Sequence, residues 1–106
     1  MPEMIVPQYK LMLTYDILPE AAEEYYRFTM GEFVPALQSM GLYMLRAWHT
    51  AYGDYPIRQS EFVAEDLATV REALSSPQFR EMEAHLLEFV TNYHRKLVKF
   101  SDKFQF

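Results

Sequence analysis

Arg46, Trp48 and His49 sit almost side by side in the stretch Leu42–Asp66, LYMLRAWHTAYGDYPIRQSEFVAED. These residue types can do chemistry together. An imidazole that titrates near neutrality can act as a general base on an acidic small molecule. Arg46 and Arg58, with the indole of Trp48, could hold an aromatic anion by charge and stacking. Glu61, on the far arm of the same stretch, could take a proton if burial opposite Leu45 raises its pKa. Each has a plainer alternative. His49 could be a hydrogen-bonded strand-end histidine, Arg46, Arg58 and Trp48 an intrasheet contact at a subunit seam, and Glu61 an ion-pair partner. The catalytic candidates are therefore His49 and Glu61. The ligand-binding candidates are Arg46 and Trp48 with Tyr15, Tyr25 and Tyr52, whose hydroxyls need partners wherever they are buried.

Other chemistries have no support in the sequence. The three histidines share no ligand spacing, and His85 and His94 fall at the margin of an apolar helical stripe, so no metal site is expected. No cysteine is present, which removes disulfides and thiolate catalysis, and no phosphate loop or nucleophile motif occurs. No cofactor is expected. The net charge of -5 argues against nucleic acid, which asks for a basic face. The opening MPEMIVPQYK lacks a basic region followed by a long apolar run, so neither a signal peptide nor a membrane span is expected, and a cytoplasmic place is.

The elements that must position these residues follow from periodicity. The chain of 106 residues is read as one domain over 1–106. Tyr9–Tyr15 suits a strand. Pro19 and the acidic residues after it open a helix whose stripe includes Tyr25, Thr29, Phe33 and Leu37, and which Gly41 ends. Gly31 and Pro35 predict a kink in it. Phe28 and Val34 lie off the stripe and would be exposed in a single chain. Leu42–Thr50 and Pro56–Ala64 read as strands around the turn Tyr52-Gly53-Asp54. If Thr50 opposes Pro56, His49 shares a face with Leu45, Ala47 and Glu61, and Trp48 shares the other with Arg46, Arg58 and Phe62. Asp66 caps a second helix, Ser76-Pro77 restarts it, and Phe79, Met82, Leu86, Phe89, Val90 and Tyr93 recur at helical spacing. The tail KLVKFSDKFQF reads as a last strand.

The order is β-α-β-β-α-β, the ferredoxin-like arrangement of an antiparallel sheet with both helices on one face. The second sheet face then needs cover. Met12, Met44, Trp48 and Phe62 are expected together on one side and Leu11, Leu13, Leu45 and Val63 on the other, with neither face polar enough for water. Half of the residues are hydrophobic and 16% aromatic, more apolar stock than one small core readily hides. A homodimer paired through the bare face is the expectation. An aromatic-walled cavity between the sheet and the helix Pro19–Met40 is expected as well.

Glu61–Phe79, which contains EFVAED, LATVREAL and SSPQF, resembles the dimeric α/β-barrel superfamily, in particular antibiotic-biosynthesis-type monooxygenases and NIPSNAP-like proteins. The resemblance implies a ferredoxin-like α+β chain that pairs sheet to sheet. It also implies a small aromatic ligand and, in the monooxygenase branch, cofactor-independent oxygenation. Ala73 and Gln78 stand where several members of that branch carry histidines, which counts against monooxygenase or haem-linked activity. The alternative on the same scaffold is a non-catalytic dimeric module that senses a ligand or scaffolds a partner.

Overall fold

Strict alternation from Tyr9 onward extends into a nine-residue strand, β1 (Tyr9–Ile17). Leu11, Leu13, Tyr15 and Ile17 are buried on one side, while Lys10, Met12, Thr14 and Asp16 are half-buried on the other. The computed structural model describes residues 7–50 and 57–99. Within them β1 joins β2 (Tyr43–Thr50), β3 (Ile57–Ala64) and β4 (Val90–Lys99) in a four-stranded antiparallel sheet of order β2-β3-β1-β4. This is the ferredoxin-like α+β fold that the element order implies. The core lies between one sheet face and the helices. No helix of the described residues is long and apolar enough to cross a membrane.

The first helical region is broken where the sequence places proline. A 3-10 turn at Pro19–Ala21 leads into α1 (Ala22–Phe28), a π-turn spans Thr29–Phe33, and α2 (Val34–Ser39) completes the region. Pro35 has no N–H to offer the carbonyl of Gly31 four residues earlier. The ladder accordingly widens just before it, and the Val34 N–H donates to the Thr29 carbonyl. The kink expected from Gly31 and Pro35 takes this form. Gly41 follows α2 with φ 89; its N–H donates to the Gln38 carbonyl and the Leu42 N–H to the Leu37 carbonyl. That pair of bonds is a Schellman ending, which needs a left-handed residue at this position. Phe28 is buried, contrary to expectation. Its ring lies 5.7 Å from that of Phe89 and 4.2 Å from that of His85, because the end of the second helical region covers this side. Val34 is half-buried against the core.

The second region is α3 (Leu67–Ser75) and α4 (Pro77–Leu86). Asp66 caps the first, its Oδ1 accepting from the Thr69 N–H at 2.8 Å. Ser76 both closes α3 and caps α4, donating to the Ala73 carbonyl and accepting from the Phe79 N–H. The helical spacing expected through Tyr93 stops at Leu86. Val90 and Tyr93 belong to β4, where the ladder to β1 satisfies their backbone, and His94 pairs with Thr14 instead of flanking a helical stripe. A bulge opposite Tyr15 accommodates Asn92 at φ 57, and its side chain donates to Asp16. The expected last strand contributes Lys96–Lys99; residues 100–106 lie outside those described.

The β2–β3 register differs from the expected one by a residue, with Thr50 opposite Ile57, and a bulge at Leu45 shifts it again. A one-residue slip exchanges faces. Met44 pairs with Phe62, which in turn pairs with the buried Leu11, so both belong to the helix side. Arg46 pairs with Glu61 and Trp48 with Gln59 on the open side, while Ala47 pairs with Ser60 and His49 with Arg58 on the helix side. The expected grouping of Met12, Met44, Trp48 and Phe62 is therefore split. So is that of Arg46, Arg58 and Trp48. The open face is mixed in character: Lys10, Thr14, Gln59, Glu61 and Lys96 share it with Met12, Val63 and Val98.

Candidate functional site

Inside the helix–sheet layer a group of hydroxyls meets where β1 ends and β3 begins. The Tyr15 and Tyr25 hydroxyls are 2.5 Å apart, and that of Tyr15 is also 3.3 Å from Ser60 Oγ. Both tyrosines and the serine are almost fully buried. Tyr15 reaches the layer because it is on the inward side of β1, and Tyr25 because it leads the apolar stripe of α1. Burial pushes the Tyr25 phenol far above its ordinary range, the neighbouring Tyr15 adds to the effect, and Arg58 pulls the other way. Tyr93 stacks on Tyr15 and donates to Glu83 Oε2 at 2.7 Å; burial, then that bond, raise its phenol too. These phenols stay neutral across the physiological range.

Thr29, the first residue of the π-turn, is 2% exposed, and its hydroxyl stands against the Tyr25 phenol, whose pKa it pulls slightly down. Arg58 pairs with Tyr15 across the ladder and lays its guanidinium 5.5 Å from the centre of the Tyr26 ring. Its Nε is buried without an acceptor. No carboxylate among the described residues forms an ion pair with it.

The open sheet face carries a different cluster. Glu61, 2% exposed, accepts from Arg46 Nε at 2.9 Å and Gln59 Nε2 at 2.7 Å, and Lys10 Nζ stands 3.5 Å away. Burial pushes its carboxyl upward, but the bonds from Arg46 and Gln59 and the charges of Lys10 and Arg46 outweigh that and hold it below the usual glutamate range. This is the reverse of the raised value expected opposite Leu45. The bulge explains the reversal, because it brings Arg46 opposite Glu61 in place of leucine.

The sheet thus divides the candidate residues. Tyr15 and Tyr25 touch each other on the helix side, and the strand position of His49 lies on that side opposite Arg58. Glu61 and Arg46 meet on the open side, together with the strand position of Trp48. Tyr52 and the turn around it lie outside the described residues. Ser60 and Thr29 are not singled out by sequence, and a serine or threonine within an apolar stripe is the signal that marks them; Arg58 is grouped there with Arg46 and Trp48 as a holder of an aromatic anion, a group the register divides between the two faces. In the layer where a cavity was expected, Tyr25 and Phe33 are packed as core. Ala73 and Gln78 line a cleft of about 300 Å³ beside Ser39, Met40, Glu72 and Ser76, which offers no histidine. Among the described residues no cluster of ligating side chains could hold a metal ion.

No protein-family model matches the sequence, and no curated protein is similar to it at a significant level. Solved structures do match. A NIPSNAP-domain protein from Burkholderia xenovorans is 14% identical, with 88% of this chain and 94% of that one aligned at a TM-score of 0.66. A Bacteroides thetaiotaomicron protein of unknown function, described as a possible oxidoreductase, aligns over 89% and 98% at 7% identity and a TM-score of 0.68. A Methanosarcina mazei protein aligns over 90% and 94% at 11% identity and a TM-score of 0.69. The fold is that of the NIPSNAP-type ferredoxin-like proteins. At these identities the likeness concerns architecture.

Proposed function

We propose that the protein binds a small aromatic molecule at the outer edge of its helix–sheet layer, where exposed Tyr26 and half-buried Arg58 border the buried hydroxyls of Tyr15, Tyr25 and Ser60. One observation carries the reading: three hydroxyls are gathered inside an otherwise apolar layer. A few convergent polar groups set among aromatic rings are what orients a ligand in an apolar site. Tyr26 and Arg58 form the outer rim, and the strand position of His49 is adjacent. In the catalytic form of this reading His49 takes the proton of a phenolic substrate, and the phenolate then reacts with dioxygen without a cofactor, one oxygen atom entering the ring to give a quinone and the other leaving as water with the displaced hydrogens. Glu61, committed to Arg46 and Gln59 on the other face, has no part in that step. In the non-catalytic form the same site senses the ligand.

The test is calorimetric titration with naphthyl and hydroxynaphthyl compounds, alongside an oxygen-electrode assay of the phenolic ones. Tyr15→Phe and Tyr25→Phe should weaken binding several-fold while leaving the circular dichroism unchanged. If oxygen is consumed, His49→Ala should abolish consumption and keep binding. Unchanged affinity in both phenylalanine variants would count against the site.

The open sheet face supports a second proposal, a homodimer paired sheet to sheet. No helix of the described residues covers that face, yet Glu61 and Val63 on it are already buried by their neighbours. The residues there suit an interface in which ion pairs and apolar side chains alternate.

A further inference from the structure

Four tyrosine rings run in contact from the outside of α1, through the helix–sheet layer, to β4. Tyr26, 42% exposed, meets Tyr25 edge to face with ring centres 4.9 Å apart. Tyr25 meets Tyr15 at 5.8 Å, and Tyr15 stacks on Tyr93 at 6.2 Å with the two planes 24° apart. Phenylalanine fills such places equally well where packing is all that is asked. Tyrosine adds a ring that gives up an electron far more readily, provided that its hydroxyl proton has somewhere to go.

The hydroxyls differ in that respect. Those of Tyr15 and Tyr25 meet each other, Ser60 and Thr29, none of which is a base. Of the four, Tyr93 is the one whose hydroxyl donates to a carboxylate among the described residues, Glu83 Oε2 at 2.7 Å, an oxygen that also accepts from Arg95. At the other end the Arg58 guanidinium lies 5.5 Å from the centre of the Tyr26 ring. That contact is attractive for a neutral ring and repulsive for one that carries positive charge. An oxidised phenol is a far stronger acid than a carboxylic acid, so a carboxylate within hydrogen-bond reach takes its proton. Tyr93 meets that condition.

We infer that the tyrosines form a one-electron relay, by which a radical that oxidises Tyr26 at the surface leaves a neutral radical on Tyr93. The oxidant is of the organic peroxyl class. It takes one electron from Tyr26 and one proton from water and becomes a hydroperoxide. Tyr25 replaces that electron, Tyr15 replaces the one lost by Tyr25, and Tyr93 the one lost by Tyr15. The phenolic proton of Tyr93 passes to Glu83. No ligand has to enter the layer, because the rings need only touch. A radical on half-buried Tyr93, packed against the core, is kept from the coupling that exposed tyrosyl radicals undergo.

The chain has no cysteine, so Met30→Cys, at an exposed position a helical turn beyond Tyr26, takes a single ruthenium polypyridyl photo-oxidant. Flash oxidation of the labelled full chain, frozen for electron paramagnetic resonance, reads where the radical rests. With all tyrosines present the spectrum should be that of Tyr93. In Tyr93→Phe and in Tyr15→Phe it should give way to a second spectrum, the same in both, from a radical halted at Tyr26. Tyr26→Phe should lower the radical yield several-fold, since the entry is lost. Glu83→Gln keeps an acceptor for the Tyr93 hydroxyl but not the base, and should weaken the Tyr93 signal several-fold. Melting curves establish that each variant is folded, and Tyr93→Phe, at a half-buried ring, keeps the test decisive if Tyr15→Phe is not. A spectrum unchanged by Tyr93→Phe, or unchanged by a folded Tyr15→Phe variant, would overturn the relay.

Discussion

Glu61 shows how one residue's role depends on a single step of register. In the expected pairing it faces leucine and becomes a base. With the bulge at Leu45 it faces Arg46 and becomes the acceptor at the centre of an ionic network. Its folded-state pKa lies below the ordinary value, so it stabilises the fold above the usual carboxylate range and loses that contribution as pH falls through the folded value. Glu61→Gln should therefore cost about 2 kcal/mol at pH 7, the magnitude of hydrogen bonds to a charged acceptor, discounted because Arg46 is more than half exposed and can recover water. Below about pH 4 the gap between wild type and variant should shrink. Urea unfolding at both pH values reads this directly, and a gap that stays constant would show the charge to be immaterial. The histidine of the opening stretch gains from the same shift. Its strand position moves from Glu61's face to the face of Arg58.

At the scale of elements, much was legible because local chemistry decides it. Asp66, Ser76-Pro77 and Gly41 each mark an end that the backbone needs there, and Pro35 marks a break whose cause is a missing N–H. What periodicity could not supply is the exchange between helix and strand after Leu86. Phe89, Val90 and Tyr93 fit a helical stripe, yet the chain turns at Phe89, and the strand that pairs with β1 at long sequence distance takes Val90 and Tyr93. The two bulges were equally illegible, since nothing local distinguishes Leu45 from a regular strand residue. Gly41 offers a sharp check on the part that was legible. At φ 89 an alanine is strained, and its Cβ would stand 2.7 Å from Thr69 Cγ2. Gly41→Ala should cost about 1–2 kcal/mol from the backbone alone, with the contact added. Pairing it with Thr69→Ser removes the methyl and should return part of the loss but not the backbone share. Full recovery in the double variant would mean that φ at this position is of no consequence.

For the whole molecule, the hydroxyl site was only half legible, because Tyr15 and Tyr25 announce themselves by periodicity while Arg58 depends on register. The open face changes its character for the same reason. With Phe62 and Met44 turned to the core, it presents Thr14, Gln59 and the Glu61 network beside Met12 and Val98. A charge at Met44 would now probe the helix–sheet core, so the pairing proposal needs a different residue. Thr14 is suited to it. It sits on a central strand between Gln59 and His94, with no carboxylate directly across on either neighbour, so a single chain can carry a glutamate there. In a sheet-to-sheet pair the same glutamate would be confined in the middle of the contact, where an unpaired charge is costly. The wild type should sediment as a dimer at low micromolar concentration. Thr14→Glu should sediment as a monomer with an unchanged circular-dichroism spectrum. A wild-type chain that sediments as a folded monomer would leave the open face as solvent-facing surface and end the case for pairing.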